Sequence, residues 1–410
     1  MKFNKKTLFN IIILTFLILS SNLIEVHSNE ETWTRKWRRH NDGGRGLVID
    51  SNEDIYVVGD TCLLKYSKDG DLLWESVWDL EGEERGESIA IDSSENLFIA
   101  GIMNRSNAIL LKCDKMGNII WNRTWGGPKW DTCHGLVIDS LDNIYIAGYT
   151  DSYGPGFGNI FVVKFNNSGS LLWELIWGTS ESETFSDISI DNLNNIYIVG
   201  ESDFKSVLIK INSSGNELWN TSIVYGSYSQ AITTDSQNNI IYAGTDILTK
   251  YNTNGEVLWF RFLKDIDFLS DIAIDNKDNI YILEDRTIRC PDNVFFDGVC
   301  QCICTAVFVD KYNSSGDFFW EIRCTGCNSA GGYGISLDSL NNLYICGISQ
   351  YILLMKNPKN WSGSCPEIYL DLIAIGVSIP GIIILALSIV IIKKKRSKKV
   401  EDIRTNLLEQ

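Results

Sequence analysis

The sequence is poor in the side chains and motifs on which many enzymes depend. Histidine occurs three times in 410 residues, and only His40 and His134 lie beyond residue 28. The chain lacks the Gly-x-Ser-x-Gly elbow of serine hydrolases, a glycine-rich phosphate loop and an Asp-x-Asp-x-Asp-Gly calcium loop. These absences argue against several catalytic classes, so we expect a protein that is not an enzyme and that uses no cofactor and no metal.

Basic residues are also in the minority. The chain has 36 Lys and Arg against 52 Asp and Glu, which gives a formal net charge of −16. A surface of this sign repels the phosphate backbone of nucleic acids. We therefore expect no nucleic-acid partner.

The N-terminus carries a targeting signal. Residues 1–28 combine Lys2, Lys5 and Lys6 with an apolar run over 8–19. This arrangement is typical of a cleaved secretory signal peptide, and the run is too short for a membrane span. The rest of the chain is therefore expected outside the cell up to any later membrane segment.

The C-terminus predicts a membrane anchor. Residues 372–392 include no charge over 21 positions, which suffices for a transmembrane helix, and the tail 393–410 begins with the basic run KKKRSKK. Positive charge after the span places the tail in the cytoplasm. The sequence thus predicts a single-pass protein of the cell membrane with its N-terminus outside, an exported domain at 29–357 and a juxtamembrane linker at 358–371.

The exported domain repeats seven times. An Ile-Asp-Ser-x-x-Asn-Ile-Tyr type of motif recurs roughly every 48 residues. A glycine follows its aspartate nine residues later in each copy except the sixth, where Glu284 stands. A second block follows, with a lysine, a glycine five residues later and a tryptophan nine residues later; the last copy breaks after Lys356. The repeated aspartates are Asp50, Asp92, Asp139, Asp191, Asp235, Asp275 and Asp338.

Each copy contains four short apolar runs, which we denote strands A to D. The runs are rich in Ile, Val, Leu, Tyr, Phe and Trp, and residues that favour turns separate them. Four-stranded units at this period are typical of propeller blades. The sequence therefore predicts an all-β fold, a seven-bladed β-propeller over 29–357. The repeated aspartates are expected to form turns, and the repeated lysines and tryptophans to pack against neighbouring strands.

The repeat resembles the SBBP family, a seven-bladed β-propeller repeat of bacterial and archaeal cell surfaces. The unit that matches its pattern best is IDSLDNIYIAGYTDSYGPGFGNIFVVKFNNSGSLLWELIWG, residues 138–178. The resemblance covers about residues 31–357 and implies the propeller fold. It implies no single activity, because propellers host many functions.

The segment EETWTRKW, residues 30–37, is expected to close the ring. Strands A, B and C occur seven times, whereas a complete strand D occurs in six copies. Trp33 and Trp37 match the spacing of pairs such as Trp74 and Trp78 in strand D. We expect this segment to be the outer strand of the last blade, since an incomplete blade would expose a sheet edge.

Only one connection varies strongly in length. From the strand B glycine position to the strand C lysine the distance ranges from 6 to 27 residues. In an up-and-down blade the B–C and D–A loops share one end of the propeller, here called the loop face, and the A–B and C–D turns share the other, the turn face. Variable loops favour recognition, so we expect the loop face to bind an extracellular protein or glycan. The short linker predicts that the turn face looks toward the membrane.

Two loops and one histidine are candidate contact sites on the loop face. The blade 3 loop combines polar and aromatic groups on a glycine-rich frame, and the blade 6 loop has two phenylalanines between cysteines. The histidine lies between strands D and A, before blade 3. The candidates are Asp151, Tyr153, Phe157, Phe295, Phe296, Asp297 and His134.

Other interpretations of these residues stay open. The aromatic side chains could pack the loops onto the ring, and a lone histidine is commonly structural. A surface hydrolase or lyase acting on carbohydrate could use acidic residues with the histidine, namely Asp151, Asp285, Asp297 and His134. A structural component of the cell envelope is the third possibility.

Eleven cysteines in an exported chain predict disulfides. A zinc or iron–sulfur site is the alternative for the stretches CQCIC and CTGC. Because eleven is odd, one thiol is left over, and Cys365 beside the membrane is the candidate for a disulfide-linked dimer. The disulfide candidates are Cys290, Cys300, Cys302, Cys304, Cys324, Cys327 and Cys346.

Seven Asn-x-Ser/Thr sequons lie in the exported part and predict N-glycosylation. Only Asn104 falls in a loop of the loop face, so glycans would leave that face largely bare. A glycan coat that only solvates the domain is the alternative. The sequons are Asn104, Asn122, Asn166, Asn212, Asn220, Asn313 and Asn360.

Overall fold

A computed structural model describes nine stretches of the chain. They are residues 33–37, 43–78, 84–104, 106–223, 230–264, 266–289, 303–324, 331–349 and 351–357. Within these stretches no helix is long and apolar enough to cross a bilayer. The predicted signal peptide, linker, transmembrane helix and tail lie outside the described residues.

The described chain consists of 28 β-strands joined by turns and loops. In chain order they are β1 (Trp33–Trp37), β2 (Gly46–Ile49), β3 (Ile55–Val58), β4 (Cys62–Tyr66), β5 (Leu72–Val77), β6 (Glu84–Ile91), β7 (Leu97–Met103), β8 (Asn107–Cys113), β9 (Ile119–Trp125), β10 (Asp131–Ile138), β11 (Ile144–Thr150), β12 (Asn159–Phe165), β13 (Leu171–Trp177), β14 (Glu183–Ile190), β15 (Ile196–Ser202), β16 (Lys205–Ile211), β17 (Glu217–Ser222), β18 (Gln230–Thr234), β19 (Ile240–Gly244), β20 (Ile247–Tyr251), β21 (Val257–Phe262), β22 (Phe268–Ile274), β23 (Ile280–Arg289), β24 (Ile303–Tyr312), β25 (Phe318–Cys324), β26 (Gly331–Leu337), β27 (Leu343–Ser349) and β28 (Tyr351–Lys356).

These strands form seven antiparallel four-stranded sheets. Six blades are continuous in sequence, from β2–β5 in blade 1 to β22–β25 in blade 6. Their first strands, together with β26, contact one another in a closed circle around a central channel. The predicted all-β, seven-bladed propeller is confirmed.

The N-terminal strand completes blade 7, as the sequence predicts. Blade 7 has the order β26, β27, β28, β1, and β1 pairs antiparallel with β28, with Trp33 opposite Lys356 and Trp37 opposite Ile352. Both tryptophans also pack on the hydrophobic cluster between blades 7 and 1. The two ends of the propeller are thus joined by a sheet and by a shared core.

The repeated aspartates build the A–B turns. In all seven blades Oδ1 accepts the backbone N–H groups two and four residues later, at 2.7–3.0 Å, so the aspartates form Asx turns. In five blades Oδ2 accepts the hydroxyl of the strand B tyrosine. The predicted role of these residues in turns is confirmed.

The A–B turns also bond to one another around the channel. The residue after each aspartate donates to the side chain at the fourth position of the next blade's turn, at 2.5–3.3 Å, and blade 7 closes the circle through Ser339 and Glu53. The seven accepting residues all adopt φ between +57° and +66°. Asn and Asp tolerate this left-handed conformation, which accounts for their frequency at that position.

The lysine, glycine and tryptophan of the second block connect successive blades. Lys164 pairs with Asp139 of its own blade at 3.1 Å and donates to Ser213 O in the next blade's C–D turn. The strand D tryptophan covers the glycine of the next C–D turn, where φ is near +80° and a Cβ would lie 2.6–3.2 Å from the ring in five blades. Trp33 covers Gly70 of blade 1 in the same way, so the closing junction repeats the internal ones.

Candidate functional site

Hydrogen bonds to a buried carboxylate hold the base of the blade 3 loop. Asp131, which is fully buried, accepts hydrogen bonds from Thr150 Oγ1, from Ser152 Oγ at 2.7 Å and from Gly127 N at 2.6 Å. The loop also lies against the connection into blade 4, since a Cβ at Gly156 would collide with backbone oxygens there. The ends of this long loop are therefore held in place by hydrogen bonds and by packing against the next blade.

The three predicted contact residues of this loop differ in their surroundings. Tyr153 packs on Trp125, with ring centroids 5.4 Å apart, and its hydroxyl donates to Gly126 O. Asp151 accepts a hydrogen bond from the Tyr149 hydroxyl. Phe157 is 87% exposed. The packing interpretation thus holds for Tyr153, whereas Phe157 is available to a ligand.

Two further exposed aromatic residues extend this surface, and sequence reasoning missed both. Trp130 is 61% exposed beside the loop, and its carbonyl accepts from Asp151 N at 2.7 Å. Phe204 is 90% exposed in the short B–C connection of blade 4. We call Trp130, Tyr153, Phe157 and Phe204 the blade 3–4 aromatic patch.

Hydrogen bonds connect the two halves of the patch. Glu183, at the start of blade 4, accepts from Thr179 Oγ1 at 2.7 Å and from Ser202 Oγ at 2.9 Å. Thr179 lies in the segment on which the Gly156 backbone rests, and Ser202 directly precedes the turn that carries Phe204. The patch therefore lies on two adjoining blades at one face.

Phe204 occupies a strained turn. β15 and β16 are joined by two residues, Asp203 and Phe204, with φ of +51° and +58°. Such hairpin turns prefer Asn and Gly, and a bulky side chain at this φ costs roughly 1–2 kcal/mol. A strained residue that is also exposed is a candidate for function rather than for stability.

His134 lies in the wall of the central channel. The sequence placed it in the D–A loop, and that placement is wrong: it belongs to β10, at a β-bulge between Cys133 and Gly135. The extra residue of the bulge turns the ring toward the channel, where it accepts or donates a hydrogen bond with Thr132 Oγ1 at 3.2 Å. Burial of the ring and the positive charges of Arg85 and Arg45 lower its pKa to about 4, so the ring is neutral at pH 7.

The blade 6 loop rises from the longest hairpin of the propeller. β23 and β24 remain paired out to Arg289 and Ile303. Phe295, Phe296 and Asp297 lie outside the described residues. Asp285 belongs to β23 and accepts from Gly332 N at 3.3 Å; burial raises its pKa to about 6.

The same blade holds a buried ionic cluster. Glu284 stands where the other blades have glycine, and it is fully buried against Arg286. Arg286 also contacts Asp310 at 3.1 Å and Glu321 at 2.6 Å. Burial raises the pKa of both Glu284 and Asp310. The sequence signal for this cluster was the missing glycine.

The family comparison agrees with this architecture. The β-propeller repeat SBBP matches residues 126–154, the segment that contains β10, β11 and the start of the blade 3 loop. That match, together with the seven four-stranded blades, supports an SBBP-type seven-bladed propeller. No curated protein matches the sequence.

Solved propellers of several kinds resemble this SBBP-type propeller in fold. Virginiamycin B lyase from Staphylococcus aureus has 12% identity and a TM-score of 0.58, over 80% of this chain and 98% of the lyase. The WD40 β-propeller domain of Doa1 has 13% identity and a TM-score of 0.56, over 80% of this chain and 98% of that domain. At these identities the likeness concerns the fold alone.

The cysteines of the SBBP-type propeller fall into two groups. Within the described residues, Cys62, Cys113, Cys133 and Cys346 are buried and form no disulfide. Cys346 is therefore wrong as a disulfide candidate: it lies in β27, inside the core between blades 7 and 1, and burial raises the pKa of its thiol. Cys304 and Cys324 lie in β24 and β25, and their pairing stays a prediction. Cys290, Cys300, Cys302, Cys327 and Cys365 lie outside the described residues.

The sequons lie where the repeat predicts. Asn122 and Asn220 are exposed in outer strands, and Asn104 is exposed after β7. The other described sequons lie in C–D turns, where each Oδ1 accepts backbone N–H groups, as at Asn212 and Asn313. Asn166 behaves similarly, and Asn360 lies outside the described residues. Glycosylation itself stays a prediction.

Proposed function

We propose that this protein is a single-span cell-surface receptor or adhesin whose loop face binds an extracellular protein or glycan. The observation that supports the proposal most is the blade 3–4 aromatic patch. Phe157 and Phe204 are 87% and 90% exposed, although each lies on a well-anchored part of the fold. A group of exposed aromatic side chains on one face often marks an interaction site.

The surroundings of the patch resemble those of binding hot spots. Aromatic side chains offer a large contact area with little rotamer entropy to lose, and polar neighbours such as Lys129, Glu181 and Asp203 provide a rim. The anchoring by Asp131 and Glu183 means that little loop ordering is required on binding.

Binding is tested with the purified full chain on protein and glycan arrays. The variant Phe157→Ser/Phe204→Asn removes both rings, and Asn is tolerated at positive φ, so folding is expected to persist. Loss of two hot-spot rings is expected to weaken binding by at least about tenfold. The control is Phe319→Ser, which removes an aromatic ring, 58% exposed, from the outer strand of blade 6. Equal binding by the double variant and the wild type would refute the assignment.

An enzyme is the second candidate, because His134 offers a neutral imidazole at a solvent-accessible channel wall. Among structures of similar fold is a catalytically inactive virginiamycin B lyase variant with quinupristin, at 12% identity, so the propeller scaffold can hold a lyase site. Hydrolysis or elimination of carbohydrate by the full chain, lost in His134→Gln, would support this candidate. Turnover that persists in His134→Gln would dismiss it.

A further inference from the structure

Four neighbouring blades direct charged and polar side chains into the same part of the central channel. Arg45 precedes β2, Arg85 and Glu87 lie in β6, His134 lies in β10 and Tyr333 lies in β26. Glu87, His134 and Tyr333 are each the extra residue of a β-bulge in an innermost strand. Bulges re-aim side chains and are frequent beside functional sites.

Among the described residues, each guanidinium group forms its ion pair through Nε. Arg45 Nε lies 2.9 Å from Asp60 Oδ1, and the Arg45 guanidinium stacks on the Tyr333 ring at 4.8 Å. Arg85 contacts Glu87 through its Nε, and the Arg85 side chain is 42% exposed. Neither of these ion pairs uses the edge formed by Nη1 and Nη2. A carboxylate or phosphate can bind to that edge through two parallel hydrogen bonds.

His134 is close enough to both arginines for their charges to lower its pKa. The neutral ring can donate to or accept from a third oxygen of a ligand. Burial raises the pKa of Glu87, which favours its uncharged form. The local charge therefore departs from the acidic balance of the whole chain and favours an anion.

We propose that Arg45, Arg85 and His134 form a binding site for an oxyanion, the carboxylate or phosphate group of a small ligand, in the central channel. Tyr333 and Asp60 position Arg45, and Glu87 positions Arg85. This site uses blades 1, 2, 3 and 7 and does not depend on the blade 3–4 aromatic patch or on the function proposed for it.

The test follows the His134 ring by NMR in the full chain, labelled at its three histidines. The probes are inorganic phosphate and acetate, each titrated at constant ionic strength against chloride. We expect a saturable shift of the His134 signal, assigned with His134→Gln, and a rise of its pKa by about one unit or more, because an anion within a few ångströms favours the imidazolium. Saturation by phosphate alone assigns a phosphate ligand, and saturation by acetate alone assigns a carboxylate.

Two arginine variants separate the site from a general salt effect. Arg85→Gln is expected to weaken anion binding at least about tenfold, and Arg85→Lys to restore part of it, because lysine keeps the charge without the forked donors. Arg123→Gln is the control, since Arg123 lies on the outer strand of blade 2 and donates to Gly169 O. The proposal would be overturned if chloride shifts the His134 signal as much as phosphate or acetate does. It would also be overturned if the shift is unchanged in an Arg85→Gln variant that keeps the native melting temperature.

Discussion

The closing strand makes a quantitative prediction, which we test with Trp33→Ala. The Trp33 ring covers Gly70 of blade 1, meets Tyr344 edge-on at 6.2 Å and packs into the core between blades 7 and 1. Truncating a fully buried tryptophan costs roughly 3–5 kcal/mol. Trp33 is half-buried, so we expect a loss of about 2 kcal/mol, or roughly 3 °C in Tm for a domain of this size.

The matched comparison is Trp74→Ala, which removes the same contacts inside the chain. Trp74 covers Gly117 and meets Tyr56 at 5.9 Å, so its geometry repeats that of Trp33. If the ring is closed as firmly as its internal junctions, the two variants lose stability equally within about 0.5 kcal/mol, measured by urea denaturation. Glu75→Ala, at an exposed position of β5, is the neutral control. The reasoning fails if Trp33→Ala melts like the wild type while Trp74→Ala does not.

The remaining predictions concern pH, a turn and the thiols. Burial raises the pKa of Asp187 in β14 to about 8 and that of Asp271 in β22 to about 7. Since unfolded aspartates ionise near pH 4, stability is expected to fall as the pH rises from about 4 to about 8. Asp187→Asn keeps an acceptor for Ile232 N, and it is expected to reduce the dependence of Tm on pH. The control Asp203→Asn, at an exposed position, is expected to leave that dependence as it is. The same slope of Tm against pH in Asp187→Asn and the wild type would contradict the prediction. Gly117→Ala is expected to lower Tm by several degrees, because its Cβ would meet the Trp74 ring at 2.8 Å and its φ is +79°; an unaltered melting curve would dismiss the contact. Alkylation of the native protein is expected to spare Cys62, Cys113, Cys133 and Cys346, which react after denaturation; mass spectrometry of the labelled peptides decides, and rapid native labelling would disprove their burial.

The architecture could be predicted because the pattern of four strands and their turns recurs seven times in the sequence. Trp33 lies 17 residues before Asp50, within the range of 16 to 18 residues that separates strand D tryptophans from the next aspartate inside the repeat, and β1 indeed pairs with β28. The sequence of a single repeat does not indicate which residues contact the next blade. Lys164 was expected to pack against neighbouring strands, and in addition it joins Asp139 of its own blade to Ser213 O of the next, 49 residues away.

The candidate site was harder to predict because a backbone bulge and single exposed side chains determine it. The bulge at His134 recurs at the equivalent position of blades 2, 4, 6 and 7, and it changes where the ring points, but no residue pattern in the sequence indicates it. Loop length drew attention to the long loops, yet Phe204 lies in a two-residue turn. Cysteine counting treated Cys346 as part of the blade 6 group, although its side chain belongs to a core.

Departures from the repeat are the best guide to function in a ring of near-identical blades. The A–B turns and the tryptophan–glycine contacts recur for stability, so a residue that breaks the pattern has another reason to be present. Glu284 replaces a glycine with a buried carboxyl group that shares a hydrogen bond with Asp310 and an ion pair with Arg286. A buried ionic cluster of this kind is commonly no more stable than well-packed apolar residues, so a propeller built only for stability would keep the glycine. Blade 6, with this cluster beneath its cysteine-rich loop, is therefore the next place to examine after the aromatic patch and the channel.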